Sequence, residues 1–248
     1  MKILAIDTSG LQAGAAIVSA DVSKEIDNAI VIGEIFLNAR TGEKSWTHSE
    51  ILMPGVDFLF KSTGLQPCDI NYVAYTNGPG SFTGLRIGAS SAIAMAHALN
   101  KPAISVPTLD AFAYNISYTE NIVIPMLDAR RGQVYTALYK FESGKLFRKT
   151  DYLALPVEEL FSRAKNLVQE NSQSSKIIFL GDGADANKSA ILQTFPDAVF
   201  PGATNNRQRA SAVAAAALDI ILANPNFQDE VELLYIRAPQ AVREALAK

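Results

Sequence analysis

The chain is poor in the residues that make soft metal sites and disulfides: one cysteine and two histidines among 248 residues. A lone thiol, Cys68, closes no internal bridge, a usage that fits a reducing cytoplasm. His97 has no acidic or cysteine neighbour at ligand spacing, and Cys68 has no nearby base, so neither a metal site nor a reactive thiol is expected. Excess positive charge is also lacking. The 22 Lys+Arg stand against 25 Asp+Glu, a formal charge of −3, and both signs are spread along the whole length. No segment is basic enough to be an electrostatic footprint for nucleic acid, and the short clusters Arg130-Arg131, Arg148-Lys149 and Arg207-Gln208-Arg209 read as surface decoration. Long hydrophobic runs are missing too. The longest, Ala210 to Ala223, falls short of the ~20 residues that a bilayer requires and contains Ser211 and Asp219. Met1-Lys2 leads straight into a strand-like segment, so no secretory leader is expected and the cytoplasm is the expected compartment. Signatures of common hydrolases, G-x-S-x-G and H-E-x-x-H, do not occur.

What is present is an ordinary globular composition, 48% hydrophobic with 15 Gly and 11 Pro, at a length where two compact lobes are favoured over one core. Ile3-Leu-Ala-Ile-Asp7 and Ala13 to Val18 read as a hairpin, with a third strand at about Ala29 to Leu37. A helix follows from near Thr47, with Leu52, Gly55, Val56, Leu59 and Phe60 on one face and Pro54 predicting a kink or a late start. Then come a strand at Tyr72 to Thr76, a glycine-rich stretch, a long helix to Leu99 and a strand at Pro102 to Val106. The second half repeats this order. Strands are expected at Ile122 to Asp128, Gln133 to Tyr139, Lys145 to Leu153 and Ile177 to Leu180, and helices at Pro156 to Val168, Ala184 to Leu192 and Ala210 to Ala223. The repetition is one of element order and suggests an internal duplication. The expected organisation is an N-terminal lobe over 1–106, completed by a helix near 207–223, a C-terminal lobe over 107–206 and a tail over 224–248.

Duplication places Asp7 and Asp128 at equivalent strand ends, where open α/β sheets hold their ligands. Paired acids with Thr8 and Ser9 suit a nucleotide cleft of the kind found in actin, sugar kinases and Hsp70; an aspartate that simply closes a turn is the plainer alternative. The bulky Arg130-Arg131 before Gly132 is ill suited to a tight phosphate cradle. The stretch Gly78-Pro-Gly-Ser-Phe-Thr-Gly-Leu-Arg-Ile-Gly88 is neither a P-loop nor a dinucleotide fingerprint. It reads as a turn feeding a helix with Ser81 or Thr83 as N-cap, or else as an anion site. Gly84, Gly88, Ala92 and Ala96 form a stripe of small residues that admits another helix closely, from the same chain or from a second subunit. His48, at the head of the amphipathic helix, reads as a packing or capping residue.

Ile6-Asp-Thr-Ser9, His48-Ser-Glu50, the Gly78 to Gly88 run, Asp128-Ala-Arg-Arg-Gly132 and Leu234-Tyr-Ile-Arg237, in this order, resemble the glycoprotease-like family of tRNA threonylcarbamoyladenosine biosynthesis proteins, on its TsaB (YeaZ) branch. The resemblance implies an α/β fold of two RNase H-like lobes of the ASKHA class, with mixed sheets flanked by helices. It also implies a role in placing a threonylcarbamoyl group on N6 of adenosine 37 in tRNA. The catalytic paralogue TsaD holds a metal through a His-x-x-x-His pair, and Thr108 and Phe112 stand at those positions here. No Asp lies between Asp197 and Asp219 to supply its late aspartate ligand. Neither Thr nor Phe replaces an imidazole, so no metal and no transferase activity of its own are expected.

The family further implies a non-catalytic subunit that pairs with TsaD through the first two helices, with the ATPase TsaE joining and a homodimer forming in the absence of TsaD. The implied interface residues are His48, Leu52, Val56, Leu59, Phe60, Gly84, Gly88, Ala92 and Ala96. Asp7, Thr8, Ser9 and Asp128 become a vestigial nucleotide cleft, and no resident cofactor is expected beyond a weakly held or interface-bound nucleotide. tRNA is expected to be contacted only through the complex. A self-sufficient ATP-dependent enzyme using Asp7 and Asp128, and a peptidase, are the alternatives.

Overall fold

The computed structural model describes residues 1–21, 29–38, 40–41, 44–117, 119–142, 144–170, 176–224, 227 and 232–236. The chain divides into two compact units, Met1–Ser117 with Gln208–Leu233, and Tyr118–Arg207 with Leu234–Lys248. The first unit thus extends beyond Val106 and takes in the beginning of the segment expected to be a separate tail.

In the first unit, β1 (Lys2–Asp7), β2 (Gln12–Ser19) and β3 (Ile30–Asn38) form an antiparallel meander. The two-residue strands β4 (Arg40–Thr41) and β5 (Lys44–Ser45) pair with each other. After α1 (His48–Thr63), strand β6 (Tyr72–Gly78) joins β1 in parallel, and after α2 (Phe82–Leu99), strand β7 (Ala103–Pro107) joins β6 in parallel. The sheet order is β3-β2-β1-β6-β7. β1 is buried from Ile3 to Asp7 because both faces of the sheet are covered. One face packs Leu4, Ile6, Val73 and Tyr75 against Leu52, Val56, Leu59, Ala92 and Ala96 of α1 and α2. α7 (Ala210–Ala223), nearly all apolar and buried on most sides, lies against β1 and β2.

The sequence explains the ends of these helices. Thr47 caps α1, and Glu50 reaches back so that its carboxylate accepts bonds from Thr47 N at 2.6 Å and Thr47 Oγ1 at 2.8 Å. Gly64, at φ 70°, closes the helix in the left-handed conformation. Pro54 lies within α1, which runs unbroken from His48 to Thr63, so the late start that it could have signalled does not occur. Ser81 caps α2 by accepting from Gly84 N at 3.2 Å. α3 (Thr108–Ala113), read from sequence only as the beginning of the second lobe, buries Leu109, Ala111 and Phe112 and packs against α7. That packing ties residues after Val106 to the first unit.

The second unit repeats the order with bent strands. β8 (Ile122–Asp128) is flanked on one side by β9 (Gln133–Thr136) and β10 (Tyr139–Glu142), which pair with its two halves. β11 (Lys145–Arg148) pairs with β10, and β12 (Leu153–Pro156) with β9. The sequence suggested two continuous strands here. Instead both break together, where buried Ala137 and Leu138 turn the chain and Leu138 exchanges bonds with Lys149 N and Thr150 Oγ1. Following α4 (Val157–Glu170), β13 (Ile177–Leu180) pairs in parallel with the other side of β8, and Ile178 makes a parallel bridge to Val199. The expected single helix near Ala184 is two, α5 (Asp182–Ala186) and α6 (Lys188–Thr194). A meander, a parallel strand and a second parallel partner, strand β7 in the first unit and the Val199 bridge in the second, therefore appear in the same order in both units, which gives the sequence-level duplication a structural basis.

Candidate functional site

The β1–β2 turn exchanges hydrogen bonds with three other elements of the first unit, α1, α2 and β6. Asp7 is 4% exposed, and its Oδ1 accepts from Ser9 N at 2.9 Å, Ser9 Oγ at 2.6 Å and Thr76 Oγ1 at 3.2 Å. Burial raises the Asp7 pKa, and the bonds from Ser9 and Thr76 offset only part of that rise. Thr8 Oγ1 donates to the Gly84 carbonyl at 2.8 Å, Ser81 N donates to the Ser9 carbonyl at 2.6 Å, and His48 Nε2 donates to the Gly10 carbonyl at 2.9 Å. The N-terminal ends of both α1 and α2 are thereby fastened to one turn.

This packing accounts for the glycine-rich run. A Cβ on Gly84 would stand 2.1 Å from the Thr8 carbonyl oxygen, and one on Gly88 would stand 2.1 Å from Thr8 Oγ1. The element that approaches the small-residue stripe is therefore the chain's own β1–β2 turn. Further along, Ala92 (0% exposed) and Ala96 (3%) belong to the core, together with Leu52, Val56 and Leu59. The expected interface is corrected accordingly. Gly84, Gly88, Ala92, Ala96, Leu52, Val56 and Leu59 are buried within the first unit; only His48 and Phe60 of that set are half-buried. An amphipathic helix has one apolar face, and here the core of its own lobe takes it.

The surface that α1 and α2 leave outside carries other apolar residues, which the sequence reading missed. Met53 is 44% exposed, Phe58 60% and Phe82 40%, with the Arg86 guanidinium 3.9 Å above the Phe82 ring. Their offset from the Leu52, Val56, Leu59 stripe was the available signal: apolar residues outside the core face of a helix have no internal reason to be there.

In the second unit, Asp128 Oδ1 accepts from Arg130 N at 2.7 Å, and Asp182 Oδ1 accepts from Asp128 N at 3.0 Å and Gly183 N at 2.8 Å. Arg130 and Arg131 take φ of 65° and 57°, and Gly132 one of 70°, so the bulky pair turns the hairpin in a left-handed conformation. Asp7 and Asp128 thus occupy corresponding strand ends of the two units, each engaged by backbone amides close in sequence. Thr108 and Phe112, at 1% and 2% exposure, lie inside the first unit on α3. Among the described residues no group of three or more His, Cys, Asp or Glu is placed to hold a metal ion, and no helix is long and apolar enough to cross a membrane.

Two mixed sheets flanked by helices, the first a three-stranded meander continued by two parallel strands and the second a meander of broken strands continued by one parallel strand and a bridge, define an α/β protein of the ASKHA type built from RNase H-like units. A solved structure, YeaZ from Pseudomonas aeruginosa, matches over 94% of this chain and 99% of its own with a TM-score of 0.71 at 20% identity, which establishes the shared fold. The family model of TsaD, tRNA N6-adenosine threonylcarbamoyltransferase, matches residues 42–242. The tRNA threonylcarbamoyladenosine biosynthesis protein TsaB of Bacillus subtilis is 31% identical over 215 residues, 86% of each chain. TsaB of Escherichia coli is 38% identical over 96 residues, 38% of this chain and 41% of its own. The chain belongs to the TsaB family of tRNA threonylcarbamoyladenosine biosynthesis proteins.

Proposed function

We propose that the chain is the non-catalytic partner subunit of the complex that makes N6-threonylcarbamoyladenosine in tRNA, supporting a TsaD transferase. The observation that carries this reading is the match to TsaB along 86% of both chains. Buried Thr108 and Phe112 support the non-catalytic part, since apolar packing fills the positions where the resemblance would place imidazole ligands.

The docking face is the outer side of α1 and α2, with Met53, Phe58 and Phe82 at its centre. TsaD occupies it in the complex, a second copy pairs through it when the chain is alone, and TsaE joins the assembly as the ATPase. No resident cofactor is required. Asp7 Oδ1 accepts three hydrogen bonds that hold the β1–β2 turn together, which gives this carboxylate a structural role without a bound nucleotide. The net charge of −3 leaves most of the tRNA contact to the transferase.

Co-expression with the cognate TsaD tests the pairing. The two chains co-purify, and Phe58→Glu with Met53→Glu releases TsaD while both proteins stay folded. Unchanged co-purification refutes the docking face.

A further inference from the structure

One of the basic clusters set aside in the sequence has a different character once folded. The β10–β11 hairpin and the residues after it, 139–152, carry Lys140, Lys145, Arg148 and Lys149 against Glu142 and Asp151, a local excess of positive charge in a chain that is negative overall. β11 ends the strand path of its sheet. In the hairpin register Lys140 stands opposite Phe147 and Glu142 opposite Lys145. Tyr139 and Phe141 point into the core, so these four residues share the outward face. Phe147 remains 41% exposed there, with Lys149 Nζ 5.4 Å from its ring centroid and also 2.9 Å from Glu142 Oε1. Arg148 stands opposite core-facing Tyr139, on the other face of the hairpin, where its guanidinium lies 3.8 Å over the Tyr152 ring.

We propose that this hairpin is an RNA contact surface. Phe147 serves as a stacking platform for an unpaired base, and Lys145 and Lys149 contact the flanking phosphates. An exposed ring on a sheet surface, framed by cations, is the arrangement by which proteins hold unpaired nucleotides: the ring offers a π-face to any base, and the cations neutralise the backbone. Charge complementarity selects the partner. A lipid surface requires a continuous apolar patch, whereas here one ring is surrounded by charged side chains, and the polyanion with unpaired bases that the proposed function brings to the complex is tRNA. The inference rests on that function and adds to it a direct, secondary contact between this subunit and the RNA.

The test uses the full chain reconstituted with its TsaD partner and a labelled anticodon stem-loop RNA. Phe147→Ala combined with Lys145→Glu and Lys149→Glu weakens binding by at least about tenfold, the loss expected for one stacked base, and the dependence of affinity on salt becomes shallower by ~2 in log–log slope. All three side chains are on the surface, so the thermal unfolding of the variant stays that of the wild type. A photoreactive benzophenone in place of the Phe147 ring cross-links to the RNA. Equal affinity of variant and wild type, cross-linking to the TsaD chain in place of RNA, or displacement of the RNA by poly-glutamate as readily as by unlabelled stem-loop would each overturn the proposal. Failure of the wild-type complex to form the modified base would count against the proposed function instead, so the two failures are separate.

Discussion

Gly88 gives the strictest test of the claim that the small-residue stripe serves the chain's own turn. Replacing it with alanine puts a methyl group 2.1 Å from Thr8 Oγ1, well inside contact distance, while Thr8 Cβ and Cγ2 stand at 3.4 and 3.6 Å. Thr8 is 1% exposed and donates to the Gly84 carbonyl, so its hydroxyl cannot move aside without losing that bond. Overpacking of this kind costs about 1–3 kcal/mol, and the lost hydrogen bond adds about 1 kcal/mol. Gly88→Ala alone is therefore expected to destabilise by roughly 2–4 kcal/mol. Thr8→Ala alone costs roughly 2 kcal/mol, because it removes both the hydroxyl with its bond and the buried γ-methyl. In the double variant the added methyl meets Thr8 Cβ at an ordinary distance, so its total cost stays near that of Thr8→Ala alone. The coupling energy in the double-mutant cycle then equals the cost of Gly88→Ala, about 2–4 kcal/mol, and urea unfolding followed by circular dichroism measures it. Additive costs, or a Gly88→Ala variant as stable as the wild type but defective in partner binding, would refute the internal-packing account and return the stripe to an interface.

Three further outcomes follow from the geometry. Glu34 on β3 accepts from Arg209 Nη2 at 2.9 Å, Ser211 N at 2.9 Å and Ser211 Oγ at 2.7 Å; burial opposes its charge, but these bonds outweigh it and lower its pKa. Its contribution is therefore present above the ordinary carboxylate range and lost as pH falls through the lowered value, and Glu34→Gln costs about 1–2 kcal/mol at neutral pH, read by denaturant titration at pH 7 and again in acid. Asp219, whose carboxyl is pushed up to about 6 by burial and accepts from the Tyr114 hydroxyl, behaves oppositely: the folded state holds the proton more tightly, so stability declines as pH rises from the unfolded value toward 6. Asp219→Asn removes that decline, worth about 1 kcal/mol after allowance for partial exposure, and a wild-type slope that persists in the variant would contradict the assignment. Phe58→Glu, at a side chain 60% exposed, leaves the melting temperature within about 2 °C of the wild type yet weakens self-association at least about tenfold in sedimentation equilibrium.

The strands and helices were legible wherever a local pattern and a chain signal agreed. Ile3 to Asp7, Thr47 with Glu50, and Ala210 to Ala223 are cases in which apolar periodicity and a terminus residue point to one answer. The breaks in the second sheet were not legible, because the turn at Ala137-Leu138 is made by two buried apolar residues that look like strand interior. α3 was missed because it is short and lacks a polar N-cap, with Pro107 in that position. The site was legible only in part. Asp7, Thr8 and Ser9 announced a special turn, and the glycines announced a close approach, but a small-residue stripe does not say which element comes close. Thr8 settles that question only in three dimensions. Phe147, Arg148 and Lys149 are unremarkable in sequence, and it is the hairpin register that gathers Phe147 with the lysines on one face.

The central claim is that this chain supports a base modification it does not itself catalyse. The direct measurement is mass spectrometry of tRNA nucleosides after incubation with the cognate TsaD and TsaE, threonylcarbamoyl donor and ATP, with and without this chain, and with the chain alone. N6-threonylcarbamoyladenosine is expected only when the chain and TsaD are both present, and is lost with Met53→Glu and Phe58→Glu. Modified base formed by the chain alone, or formed at the same rate in its absence, would contradict it.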